Sequence, residues 1–335
     1  KAWTKKTKDE IIRIANDAPD KVLQLDYVGY SPFHWALVVA APPEVVRALL
    51  VVCPDAARSI NDRGITPLHS MSLGTSVDTI RVVLEFCPDV LAARDRHGRT
   101  PVHSFLYRKD IQNLRDFPID TFMEMFQRYP QVGIIRDNKE RTPLSVAVRL
   151  RGQRDRQGYS DIVVATINAC PTAATILDGE GMTPLSHAVL WEYPSASVIT
   201  ALLWAYPDAV NLTDERGKNP LQAALDYGKI PIEAVLSLVR ANSRCVFSQN
   251  TNGKIVVYKP RSKKGKQMLS KALQEMTQIS KSSLHILSQK QKMSLIHIFM
   301  VARRKNMERE EEGLATVPSE IWWSLLSMLC PNDIQ

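Results

Sequence analysis

Three histidines stand at near-constant intervals, His34, His69 and His103, 35 and 34 residues apart. Imidazoles in register could bind a metal or shuttle protons, but elements stacked one helix diameter apart hold equivalent side chains roughly 10 Å from one another, too far to share an ion. His187 is one residue out of step, because Ser186 takes the equivalent position. Cys53, Cys87 and Cys170 also share one position, each directly before a proline. Their regular separation disfavours disulfides, and the absence of CxxC or CxxH spacing disfavours zinc, so small buried thiols are expected. The chain shows no HExxH and no Ser-His-Asp set, and Gly152 to Gly158 lacks the Lys-Ser/Thr ending of a phosphate loop. No enzyme and no cofactor is expected.

The regularity of these residues points to the elements that carry them. Ser31-Pro32-Phe33-His34, Thr66-Pro67-Leu68-His69, Thr100-Pro101-Val102-His103, Thr142-Pro143-Leu144-Ser145, Thr183-Pro184-Leu185-Ser186 and Asn219-Pro220-Leu221-Gln222 form one series. Pro19, Pro54, Pro88, Pro130, Pro171 and Pro207 form a second series with the same spacings. Ten residues after each of these comes Gly29, Gly64, Gly98, Glu140, Gly181 or Gly217, and ten before it Asp9, Glu44, Asp78, Asp120, Asp161 or Ser197. Ser, Thr or Asn before Pro is an N-cap followed by the residue best tolerated at the first helical position, so each motif starts a short inner helix. The acidic residue opens an outer helix, favoured by the dipole, whose apolar stripe is seen in Val45, Val46, Leu49 and Leu50. The second-series proline is expected to stop that helix, and the glycine to allow a tight turn at positive φ.

This unit, Asp-x-x-Gly-x-Thr-Pro-Leu-His with two helices at a period near 33, resembles the ankyrin repeat, most fully at Asp95 to His103. The Cys-Pro or Tyr-Pro ending is similar to ankyrin arrays of microalgal proteins. The resemblance implies an all-α solenoid in which the motif histidines support the turn by hydrogen bonding. An amino-terminal half-repeat cap is expected over 1–25, beginning its helix at Asp9. Six repeats follow at about 26–60, 61–94, 95–136, 137–177, 178–213 and 214–247. A hairpin from Cys245-Val246-Phe247 and Ile255-Val256-Val257 closes the array near 258. Extra residues at Tyr107 to Pro118 and Arg149 to Ser160 are expected to lengthen an inner helix or its connection to the outer one.

In a chain of 335 residues, 44% are apolar and the net charge is +8. A folded protein is implied, and no apolar run reaches the roughly 18 residues of a membrane span. The few unpaired cysteines suit an intracellular compartment, cytoplasm or nucleus; with Lys-Ala-Trp at the start and no initiator Met, an organelle stays open. The charge is local: +6 over 91–156 and +11 over 259–307, against acidic stretches elsewhere. Arg63, Arg96, Arg99, Lys139 and Arg141 flank the turn glycines or their substitute. In ankyrin repeats, turns and inner helices form the concave binding face, so the resemblance implies a basic stripe for a protein partner with an acidic surface. Nucleic acid ranks second, because no aromatic residues interleave the stripe.

Residues 259–312 are expected to form a basic helical extension packed on the last repeats. In 313–335, Val317-Pro318-Ser319-Glu320-Ile321-Trp322-Trp323-Ser324-Leu325-Leu326 and the following Pro331 and Asp333 resemble the first half of an F-box. By that resemblance Pro318, Glu320, Ile321, Leu325 and Leu326 would meet a Skp1-like adaptor. Three functions remain on this reading: a non-enzymatic protein-binding scaffold, a ubiquitin-ligase substrate adaptor, and a structural subunit of a large assembly.

Overall fold

The computed structural model describes residues 4–107, 117–150, 156–190, 194–214, 216–227, 230–242, 247–249, 255–258 and 260–272. Pro318, Glu320, Ile321, Leu325 and Leu326, with the rest of 313–335 and most of the basic extension, lie outside them. Two compact units divide the chain, one up to Ala209 and one from Val210.

In the first unit helices stack in two layers. The outer layer is α1 (Lys5–Asp17), α3 (Pro43–Val52), α4 (Val77–Phe86), α6 (Ile119–Arg128), α8 (Arg156–Ala169) and α10 (Ala196–Ala205), each packed on the next. The inner layer is α2 (Pro32–Val38), a 3-10 turn at Pro67–Ser70, α5 (Pro101–Leu106), α7 (Pro143–Val148) and α9 (Pro184–Leu190). Between the layers lie the stripes of both, including Phe33, Leu37, Leu50, Ile80, Met125, Leu144, Ile162 and Ile199, all fully buried. Phe105, Phe117, Phe122 and Phe126 stack at centroid distances of 5.1 to 6.3 Å in the middle of this core.

Four expectations are corrected. The inner helix of the second repeat is a single 3-10 turn; Met71 turns extended at ψ 144°, and the chain leaves the layer. The second-series prolines do more than stop the outer helix: each opens a further 3-10 turn, such as Pro54–Arg58 and Pro88–Ala92, as a residue with preset φ and no N–H to satisfy allows. α1 begins at Lys5 behind the N-cap Thr4, whose hydroxyl accepts from the Thr7 N–H at 3.2 Å, so Asp9 does not open it. α8 begins at Arg156, five residues before Asp161, so the second insertion extends an outer helix. The first lies between Leu106 and Ile119, with 108–116 outside the described residues.

The turn prediction meets the geometry directly. Gly29, Gly64, Gly98, Gly181 and Gly217 take φ between +69° and +83°, and Glu140, alone in lacking glycine's freedom, takes +57°. Of the three cysteines, Cys87 and Cys170 are buried, whereas Cys53 is half-exposed.

In the second unit α11 (Pro220–Tyr227) packs on α12 (Ile232–Ala241), and β1 (Phe247–Gln249) pairs antiparallel with β2 (Ile255–Val257), Ser248 opposite Val256. Residues 263–272 are helical and sit on α11: the Ser262 hydroxyl donates to the Leu225 carbonyl at 2.8 Å, and Leu269 and Ala272 are buried while Lys263, Lys264 and Lys266 face solvent. No helix among the described residues is long and apolar enough to cross a membrane.

Candidate interaction face

Each motif histidine joins two repeats. The Nδ1 atoms of His34, His69 and His103 accept from the N-cap hydroxyls of Ser31, Thr66 and Thr100 at 2.8 to 2.9 Å, and their Nε2 atoms reach the carbonyls of Ile65, Arg99 and Arg141 in the next repeat at 2.9 to 3.1 Å. That pattern requires a neutral ring with the proton on Nε2. Burial pushes all three imidazoles down, His103 to about 4. In the next two repeats Ser145 and Ser186 close the N-cap with a hydroxyl, so the bridge to the following repeat is lost.

The turns share a second device. Asp26, Asn61, Asp95, Asp137, Asp178 and Asp214 each accept two backbone N–H groups on Oδ1, two and four residues ahead, at 2.8 to 3.1 Å. The second carboxylate oxygen stays available. Asp95 takes the Arg99 guanidinium at 2.7 Å and Asp137 that of Arg141 at 2.5 Å. Burial works against both charges, yet the guanidinium and the N–H donors hold both carboxyls below the ordinary range. Two of the five stripe residues therefore carry a charge already neutralised within their own turn.

The other three stand differently. The turn tips are tied by main-chain hydrogen bonds: Arg96 N–H to the Arg63 carbonyl at 3.0 Å, Asn138 N–H to His97 at 2.9 Å, and Gly179 N–H to Lys139 at 3.2 Å. Arg63 and Arg96 thus form the two ends of the first rung and Lys139 one end of the third, all exposed. The side chains of Arg63 and Lys139 make no hydrogen bond or ion pair among the described residues, and Arg96 meets only the ring of His97 at 3.1 Å. Around these tips, over 61–64, 94–99 and 136–141, seven cations face four carboxylates.

Beside the ladder, the missing inner helix of the second repeat leaves a notch of about 450 Å³. Its walls are Tyr30, Trp35 and Val38 of the first repeat and Arg99, Ser104 and Tyr107 of the third, with His69 and Ser70 on its floor. The Trp35 Nε1–H donates to Asp26 at 2.8 Å, which fixes the ring; the Tyr107 ring lies between the guanidiniums of Arg99 and Arg141, at 5.6 and 5.4 Å. None of these aromatic residues is marked by the repeat pattern.

Asp178, Glu180 and His187 bring one ligand atom each within 4.8 Å of one another. Arg149 Nη2 already occupies the cation's place, 2.7 Å from Asp178, 3.2 Å from Glu180 and 2.6 Å from His187. Burial, then the Arg149 charge, pushes the His187 imidazole down, and this cluster knits the repeats rather than presenting ligands.

The architecture is an ankyrin-repeat solenoid. Among solved structures the chain is similar to the ankyrin repeat domain of Bcl-3, a unique member of the IkappaB protein family, with a TM-score of 0.51 and 22% identity over 72% of this chain and 99% of that one. It also aligns with one chain of the complex between a predatory endopeptidase from Bdellovibrio bacteriovorus and an immunity protein, at a TM-score of 0.45 and 14% identity over 65% of this chain and 99% of that one. No protein-family model and no curated protein sequence matches the chain.

Proposed function

We propose that the chain is a non-enzymatic protein-binding module whose turn tips and inner layer over residues 26–190 hold an acidic segment of a partner. The observation that carries this reading is the ladder: Arg63, Arg96 and Lys139 share one backbone-fixed row, with their charges uncompensated. A backbone-tied row sets where the three cations emerge, and such a row suits a chain of carboxylates. The ankyrin fold supports the same reading, since its stacked repeats offer an extended surface. Arg99 and Arg141 belong to this face as cations shared with Asp95 and Asp137. The test is affinity capture from the native source with wild type and with Arg63→Glu, Arg96→Glu, Lys139→Glu side by side. At least tenfold lower recovery of the same partner, with an unchanged melt, is the expected result; equal recovery removes the ladder from the binding surface.

A second reading rests on the F-box-like residues Pro318, Glu320, Ile321, Leu325 and Leu326, whose spacing supports docking to a Skp1-like adaptor and a role in presenting substrates to a ubiquitin ligase. Mixing the chain with Skp1 at micromolar concentration decides it: no complex means no adaptor.

A further inference from the structure

We propose that the notch over the second repeat seats one aromatic side chain of the acidic partner segment, an inference that rests on the binding function above. The flanking inner helices run seven and six residues, whereas the second repeat contributes a four-residue 3-10 turn, so the notch is built by a helix that stops early. Its volume of about 450 Å³ lies in the lower part of the roughly 300–1,000 Å³ range of ligand-burying pockets.

The lining selects the chemistry. Trp35 is 44% exposed, and its only polar atom is committed to Asp26, so it offers ring surface alone. Arg99 also lines the notch, its guanidinium 5.6 Å from the centre of the Tyr107 ring, and a guanidinium attracts an incoming aromatic ring in the same way. The excess of cations at the adjoining tips places carboxylates on either side of that ring.

The test uses the full chain and fluorescein-labelled peptides with a central tyrosine, phenylalanine or alanine between runs of glutamate, followed by fluorescence anisotropy. The tyrosine and phenylalanine peptides are each expected to bind at least about tenfold more tightly than the alanine peptide. Ser104→Trp, which fills the notch, brings all three peptides together. Thermal melts show that the variants are folded. Equal binding of the tyrosine and alanine peptides, no binding below about 1 mM, or a preference untouched by Ser104→Trp overturns the proposal. The tip reversal at Arg63, Arg96 and Lys139 separates the two ideas: it should weaken every peptide while leaving the tyrosine-to-alanine ratio intact. A reversal without effect on any peptide sinks the ladder reading, whereas a ratio of one with a strong reversal effect sinks the notch alone.

Discussion

His103 Nε2 lies 3.0 Å from the main-chain carbonyl of Arg141, one repeat away, while its Nδ1 accepts from Thr100 at 2.8 Å. The ring is thus a cap for its own helix and a rivet to the next turn, and both roles require it neutral.

Its depressed pKa fixes the sign of a pH effect. Between about 4 and 6.5 the unfolded chain binds the proton that folded His103 refuses, so stability is full above 6.5 and falls as the pH drops. From pH 7 to pH 5 this residue alone should remove about 2 kcal/mol, and His34 and His69 act in the same direction. Urea melts at the two pH values should show the loss, and His103→Gln should reduce it by about that amount. A wild-type chain equally stable at pH 5 and pH 7 contradicts the rivet.

Asp95 and Asn61 occupy equivalent turns and accept the same two N–H groups. Asp95→Asn should therefore keep the turn and cost under about 1 kcal/mol, the price of losing a half-exposed guanidinium's partner. Asp95→Ala strands two N–H donors and should cost about 2–4 kcal/mol. Equal destabilisation by the two, read from chemical melts, would show that charge and not turn closure is what matters.

Glu140 holds a left-handed conformation that glycine holds in the sister turns. Relief of roughly 1–2 kcal/mol of steric cost outweighs about 0.5–1 kcal/mol of added backbone entropy, and the exposed Arg136 ion pair contributes little, so Glu140→Gly should stabilise by up to about 1 kcal/mol. Gly181→Ala, with nothing within 4 Å of the added methyl, should cost only the conformational amount, and Gly98→Ala more, because its methyl meets the Asn138 N at 2.8 Å. A melt ranking Gly181→Ala below Gly98→Ala would refute this reading of the two turns.

Leu84 and Leu202, 3% and 1% exposed, are buried on outer helices α4 and α10. Each truncation to Ala should cost about 2–5 kcal/mol. Melts matching wild type would show the register of the outer layer to be misplaced.

What could be read from the chain followed how local the physics is. A Thr-Pro step, a turn glycine and the stripe of α3 act within a few residues, so the sequence alone points to them. The union of Arg99 with Asp95 is hidden, although only four residues separate them, because it depends on Asp95 being drawn inward by two N–H groups. The notch is hidden more deeply. Pro67 starts its turn as Pro101 starts α5, with the same capping box, and only the chain's departure at Met71 distinguishes them. The early start of α8 carries no marker either, since Arg156 is neither a cap nor a proline.

The rungs at the turn tips are made of main-chain atoms, while the groups aimed at solvent from Arg63, Arg96 and Lys139 take no part in them. Foldability and the proposed recognition are therefore written in separate inks. Those three side chains can be exchanged over evolutionary time for others of different charge or shape, and the scaffold beneath them is left unaltered.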